Sequence, residues 1–319
     1  MKSYITYKNQ LEGIKDVSET VKTVEKIAAS SVHFLKQEVA NLDIYGAEIE
    51  KALARLSLFY QKKKHPLLLP RKKFILNKQK IETEKKALII LTGNKGLVGG
   101  LWHKIVNSFL DTAKQYQSVI MIGAKGKNYL KEENIPIIKS FTNFFDIPTE
   151  EEIKNITDYI FNEFKKGAFF QVDILYPKFV SLAQQTPNFT LFLPFEFTRL
   201  ESREYNNKNF PKNKLREQQE SSMEFESKND KNTGDGFPIF EPSKQKIFDN
   251  LLQKYIGTFF YKIIMETKLS ELSARTVAME HAATKTKELI QKLTLDYTKQ
   301  RHRIVTQRQL ESFVTHKIT

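Results

Sequence analysis

KQKIFDNLLQKYIGTFFYKIIMETKLSELSARTVAMEHAATKTKELIQKLTLDYTKQRHRIVTQRQLESFVTHKIT, residues 244–319, closes the chain with no proline and one glycine, Gly257. Helix formers dominate and nothing in it reads as a turn, so the stretch predicts one very long helix. At about 1.5 Å per residue such a helix runs on the order of 100 Å, wider than a globular domain of this size, so much of it must project and needs a partner along its apolar stripe. The stripe is legible: Ile290, Leu293, Tyr297 and Ile304 recur at three-to-four spacing, the seam of a coiled coil. Gln300 and Gln307 take seam positions where apolar residues are expected, and Lys299, Arg301, His302, Arg303 and Arg308 line the same end. The seam is therefore weak near its tip.

The other half lies at the opposite terminus. Between Leu11 and Leu42 there is no proline, and Ile14, Val21, Ala28, Leu35 and Leu42 fall at a strict seven-residue interval, with Val17 and Val24 as the second column. Heptads at both ends, with a different kind of sequence between, predict an antiparallel coiled coil of the terminal helices, with the Val17–Val24 region near Tyr297–Ile304. Two ordinary amphipathic helices packed on one globule are the alternative.

Between the helices the period changes. Ala87–Leu91, Val119–Ile122, Ile135–Ile138, Val172–Tyr176 and Phe189–Leu193 are apolar runs of strand length. Helices are expected from Leu101 to Leu110, from Lys125 to Glu133, and after Thr149, where Glu152 completes capping-box spacing ahead of Ile153, Ile156, Ile160 and Phe164. Alternating strands and helices predict a Rossmann-like parallel α/β domain. The organisation reads as an N-terminal helix (1–62), a basic linker (63–85), the α/β domain (86–198), a Lys-, Glu-, Asn- and Ser-rich insertion or flexible loop (199–242) and the C-terminal helix (243–319), with Ser243 as N-cap. The sequence around Gly236–Pro242 is suited to an extended edge.

The chain has 319 residues, 40% of them hydrophobic, and a net charge of +14, an excess that selects acidic partners without naming them. It has no cysteine, which excludes disulfides and thiolate metal sites. The start, MKSYITYKNQL, has no apolar core and is not a signal peptide, and no apolar run approaches the ~20 residues of a membrane span. A cytoplasmic protein, peripheral to the membrane as part of a complex, is expected.

The glycine-rich loop Gly93–Gly100 sits between strand and helix, where phosphates are often held. It lacks the Gly-Lys-Ser/Thr ending of a Walker A loop and is not a dinucleotide GxGxxG. The favoured reading is that its glycines permit a tight turn and close helix–sheet approach. The six histidines show no ligand spacing, and no catalytic constellation or cofactor site is expected. Tyr297 stands among Lys292, Lys299 and Arg301 but on the inward seam, so no nucleic-acid partner is expected.

Taken in order, these pieces resemble the gamma subunit of F-type ATP synthases, over most of the chain outside 199–236. Gly96-Leu97-Val98-Gly99-Gly100-Leu101 is similar to that family's Gly-Leu-Cys-Gly-Gly-Leu, and Ile122-Gly123-Ala124-Lys125-Gly126 to its Ile-Gly-Ser-Lys-Gly. Gln185-Thr186-Pro187 followed by Leu193-Pro194 matches the order around the last strands. Ser270-Glu271, Ala274-Arg275 and Ala278-Met279 match the Ser-Glu-x-x-Ala-Arg-x-x-Ala-Met motif, and Glu25, Ala28, Ala29 and Ser30 align with the family's first helix. The departures are Asn94-Lys95 for Asp-Arg, Trp102 and Lys285 for Asn, His302 for Gln, and Thr315 for a glycine. The resemblance implies a noncatalytic rotor shaft in a complex that couples ATP synthesis or hydrolysis to proton transport. It implies a collar of catalytic (beta-like) and noncatalytic (alpha-like) ATPase subunits, with an epsilon-like subunit and a membrane ring as further partners. It places partner-binding residues at Lys22, Val24, Glu25, Arg275, Lys299, Arg301, His302 and Thr306, of which Arg301 carries most weight. The alternatives are a nucleotide-binding Rossmann-like enzyme using the Gly93 loop, a coiled-coil adaptor without rotation, and a similar shaft whose ATPase head drives machinery other than a proton ring.

Overall fold

The computed structural model describes residues 4–57, 65, 67–68, 85–133, 135–142, 148–195 and 241–318. The expected insertion at 199–236 lies outside the described residues. So do the expected linker, apart from His65, Leu67, Leu68 and Lys85, and the expected edge before Pro242, apart from Glu241.

Two helices frame the molecule: α1, Tyr4–Ser57, and a 75-residue C-terminal helix, Lys244–Ile318. They run antiparallel. Tyr255 donates from its hydroxyl to Glu50 at 3.1 Å, Lys262 pairs with Asp43, and the Tyr4 and Tyr297 rings lie 6.3 Å apart. The index sums of these pairs, 305, 305 and 301, stay nearly constant along the length, as a continuous antiparallel seam requires. At that sum, Val17–Val24 faces about Met279–Thr286, not Tyr297–Ile304. The expected register was displaced because heptad spacing fixes a period and not its origin. The origin is set where both helices leave the α/β domain together, at Glu50 and Tyr255.

The second column of α1 also differs from expectation. Val17 is 51% exposed, whereas Ser18 is 6% exposed. The column continues through Glu25, Val32, Val39, Gly46 and Leu53, alternating with Ile14, Val21, Ala28, Leu35, Leu42, Ile49 and Leu56; apart from Glu25 and Gly46 it is apolar from Val32 onward, and every member is buried or half-buried. Ser18, Glu25 and Gly46 disguise it in the sequence. On the facing helix Ile290, Leu293, Tyr297, Gln300 and Ile304 are half-buried, while Gln307 is exposed and bonds Glu311.

The domain between them is a five-stranded sheet. Its strands are β1 (Lys86–Leu91), β2 (Ser118–Ile122), β3 (Lys139–Phe141), β4 (Gln171–Phe179) and β5 (Gln185–Leu193), in the order β3-β2-β1-β4-β5. The first four are parallel, and β5 is antiparallel to β4. The reversal follows from length, since the five residues 180–184 can close a hairpin but not a crossover. β3 begins later than the expected Ile135–Ile138: Pro136 has no N–H for a ladder, and the first bond to β2 is Ile138 N–H to Val119 C=O at 3.0 Å.

Helices α2 (Leu101–Leu110) and α3 (Ala124–Glu132) cover one face, packing Trp102, Ile105, Phe109 and Leu130 on Leu88, Ile90, Val119 and Met121. The other face receives α4 (Glu150–Lys166) and the lower half of the C-terminal helix, henceforth α5. The capping box on α4 is formed, Thr149 accepting from Glu152 N–H and Glu152 from Thr149 N–H, and Ser243 accepts from Lys246 N–H at the start of α5. Phe248, Leu252, Ile256, Phe260 and Ile263 of α5 are buried against Ile89, Ile120, Ile174 and Phe192. One helix is thus both a layer of the domain and half of the coiled coil. Among the described residues no helix is long and apolar enough to cross a membrane.

Candidate functional site

The middle of α5 carries a run of buried polar groups where it crosses the carboxyl ends of the strands. Glu271, 2% exposed, accepts from Arg275 Nη2 at 2.7 Å and from Lys268 Nζ at 3.1 Å. The spacings i−3 and i+4 bring all three side chains to one face of the helix. Arg275, 9% exposed, also reaches the loop after β1 and donates to Gly96 C=O at 3.2 Å. One turn below, Ser270 donates to Pro177 C=O of β4 at 2.8 Å. Charges this deep persist when each is paired and bonded, as here.

The loop is shaped to receive them. A Cβ on Gly93 would lie 2.6 Å from Glu271 Oε2 and 2.6 Å from the Trp102 ring, so only glycine lets the strand end come this close. Trp102, in turn, donates its indole N–H to Lys95 C=O at 3.2 Å. Beneath it, Gly123 holds φ +103, where a Cβ would strike Thr92 C=O at 2.2 Å. Gly126 N–H donates to Thr92 Oγ1 and Ala124 N–H to Asn94 Oδ1. The glycines serve close approach, as expected, but the helix that Gly93 admits is α5. In an open α/β sheet this crevice, where strand order reverses between β1 and β4, is where ligands bind; here Glu271, Arg275 and Ser270 occupy it.

The expected partner-binding residues fall into two groups. Lys22 is exposed and Val24 and Glu25 are half-buried, on α1 opposite the turn of α5 just above Arg275. Arg275 itself is turned into the chain: its guanidinium is taken up by Glu271 and Gly96. About 39 Å further along the helix axis, 26 residues on, Lys299, Arg301, His302 and Thr306 are exposed. Thr306 spends its hydroxyl on His302 C=O. Because α1 begins beside Tyr297, α5 beyond Ile304 has no facing helix among the described residues, and Val305, Leu310 and Phe313 stand out from it, Phe313 at 74% exposure. The junction residues Glu271, Lys268, Ser270 and Trp102 were not expected at a site. Their signal was polar residues at buried-face spacing between Leu269 and Met279.

A family model described as ATP synthase matches residues 3–311. The ATP synthase gamma chain of Desulfitobacterium hafniense is 26% identical over 302 residues, spanning 94% of this chain and 92% of the relative. That of Trichormus variabilis is 25% identical over 317 residues, spanning 95% of each. In solved structures, a chain of the Euglena gracilis mitochondrial ATP synthase OSCP/F1/c-ring assembly superposes with a TM-score of 0.59 at 16% identity, covering 98% of this chain and 93% of that one. A chain of the Tetrahymena thermophila mitochondrial ATP synthase central stalk and c-ring does so with a TM-score of 0.54 at 17% identity, covering 82% and 99%. The structural likenesses show a shared fold: terminal helices around a mostly parallel sheet.

Proposed function

Because the chain belongs to the ATP synthase gamma family, we propose that it works as the noncatalytic central shaft of a rotary F-type ATPase, peripheral to the membrane. The coiled coil is the axle, and the α/β domain is the foot by which torque enters or leaves. The observation that supports this most directly is the continuity of α5. The same helix fills the sheet's crevice through Glu271, Arg275 and Ser270 and runs on, unbroken, to the bare tip. Twist applied at one end has no hinge in which to dissipate.

The partners are catalytic and noncatalytic ATPase subunits surrounding the upper coiled coil, with a membrane ring and an epsilon-like subunit at the foot. An asymmetric shaft presents a different face to each surrounding subunit, and unequal contacts shift each site between open and closed states. The basic tip, Lys299, Arg301, Arg303 and Arg308 against Glu311, fits acidic loops of that collar. The competing reading, a nucleotide-binding enzyme, places its ligand where α5 already lies.

Purification of the native complex tests the proposal. The expected result is a stoichiometric assembly with two kinds of ATPase subunit, and no ATP turnover by the isolated chain. A chain that purifies alone and hydrolyses ATP, with turnover lost in Lys95→Ala, would overturn it.

A further inference from the structure

At the bottom of the molecule, a short piece of the connector between α1 and β1 is pinned to the foot of α5. His65 is buried; its Nδ1 accepts from Leu67 N–H at 3.2 Å, and its ring meets Phe248 edge-on. That acceptor role puts the ring proton on Nε2, which faces Asp249 Oδ1 of α5 at 3.4 Å. This carboxylate oxygen is buried and, among the described residues, has no hydrogen-bond partner. Leu67 is completely buried in the core, and its carbonyl accepts from Phe195 N–H, just past β5, at 2.7 Å. The turn at 65–67 therefore ties three chain segments together: the connector, the exit from β5 and the first turns of α5.

We infer that this turn is a proton-operated latch, closed while His65 is neutral and opened when the ring takes up a second proton. The chemistry lies in the two ring nitrogens. A neutral imidazole offers one acceptor and one donor, and the site uses the acceptor for Leu67. The imidazolium has two donors. Its Nδ1–H then confronts the Leu67 N–H, while the unpartnered Asp249 oxygen draws the ring toward α5. Protonation exchanges a bond to the connector for a bond to the shaft.

Among the described residues, the charges that bear on His65 are Asp249 on α5 and Lys165 on α4. Burial comes first and pushes its pKa below the ordinary histidine range; Asp249 pulls it up, and Lys165 pushes it down. The folded protein thus binds this proton less readily than the unfolded chain. The latch's contribution is complete above the ordinary histidine pKa and is lost as pH falls. The device does not depend on rotation, so it stands or falls apart from the shaft reading.

Amide exchange on the full chain, corrected for intrinsic rates and followed from about pH 8 to pH 5, reads the latch directly. Between the ordinary histidine pKa and the lowered pKa of the closed latch, protection at Leu67 and Phe195 should fall by up to about tenfold per pH unit, as uptake of one proton requires, and then level off. In His65→Asn, whose side-chain oxygen accepts from the same N–H as an Asx turn does and takes up no proton, protection should not change over this range. In Asp249→Asn, which removes the attraction for the imidazolium, the loss should move to lower pH. The inference is overturned if the wild type keeps its protection throughout, or if its loss persists in His65→Asn. Should His65→Asn fail to fold, an unmoved midpoint in Asp249→Asn overturns it equally.

Discussion

Residues 268–275 and 299–306 are each two turns of the same helix, both rich in charge, and they are solved in opposite ways. In the first, Lys268, Glu271 and Arg275 sum to +1 and are bonded to one another and to the loop after β1. In the second, Lys299, Arg301 and Arg303 sum to +3 with no acidic residue, and all are exposed. The first segment has its electrostatic complement within its own chain and holds the molecule together. The second carries no acid of its own and is exposed, so it is open to solvent and to another protein. Burial, not composition, separates a structural ion cluster from an interaction surface.

The largest test of this contrast is Glu271→Ala. It leaves one buried and one half-buried cation without their shared carboxylate and should cost about 3–5 kcal/mol in urea unfolding of the isolated subunit. A loss under about 1 kcal/mol would mean that the junction is no more than a surface pair.

Next is Gly93→Ala, which forces a methyl group against Glu271 and Trp102 and should cost about 1–3 kcal/mol. The two substitutions share a contact, so they should not add. With Glu271 already truncated the new methyl has room on one side, and the cost of Gly93→Ala should shrink. Strict additivity in the double variant would show that the loop does not close on α5 through this carboxylate.

The same distinction explains what the sequence could and could not convey. The long helix, the strands and the Thr149 cap were legible because each depends on neighbours in the chain: period, β-branched runs, a three-residue capping spacing. The coiled-coil register was not, because it is set by Glu50 and Tyr255, more than two hundred positions apart. The antiparallel β5 was not legible, because the apolar runs Val172–Tyr176 and Phe189–Leu193 leave twelve residues between them; only in the folded sheet do the strands reach Phe179 and Gln185 and shorten the connection to five. At the candidate site, the exposed character of Lys299 and Arg301 followed from their positions off the Tyr297–Ile304 seam. Arg275 looked alike as a residue type, and its inward direction depends on Gly96, which only folding brings beside it.

A smaller effect probes the seam. Val17→Asp should change stability by no more than about 0.5 kcal/mol, because Val17 faces outward. Val21→Asp, one turn on and half-buried, should cost about 1–3 kcal/mol. Reversal of that order would return Val17 to the seam and displace Ser18 from it.

The smallest effect on the isolated chain belongs to Arg301. Its side chain is exposed, so Arg301→Ala should leave unfolding within about 0.5 kcal/mol of wild type. The argument for testing it lies in the other half of the measurement. A guanidinium that ends up desolvated against a carboxylate of the collar is worth about 2–5 kcal/mol when truncated, and one that stays in water is worth at most about 1 kcal/mol. In the assembled complex Arg301→Ala should therefore weaken retention of the shaft or slow ATP turnover, while Lys285→Ala, exposed lower on the same helix, serves as the control for loss of one positive charge. Raising the ionic strength separates the cases further, since an exposed attraction is screened within about 10 Å and a buried pair is not. A full-sized loss that survives high salt places Arg301 in a dry contact. A loss that vanishes with salt, or equals that of Lys285→Ala, reduces the tip to a diffuse positive field, and the contrast with the junction becomes one of strength rather than of kind.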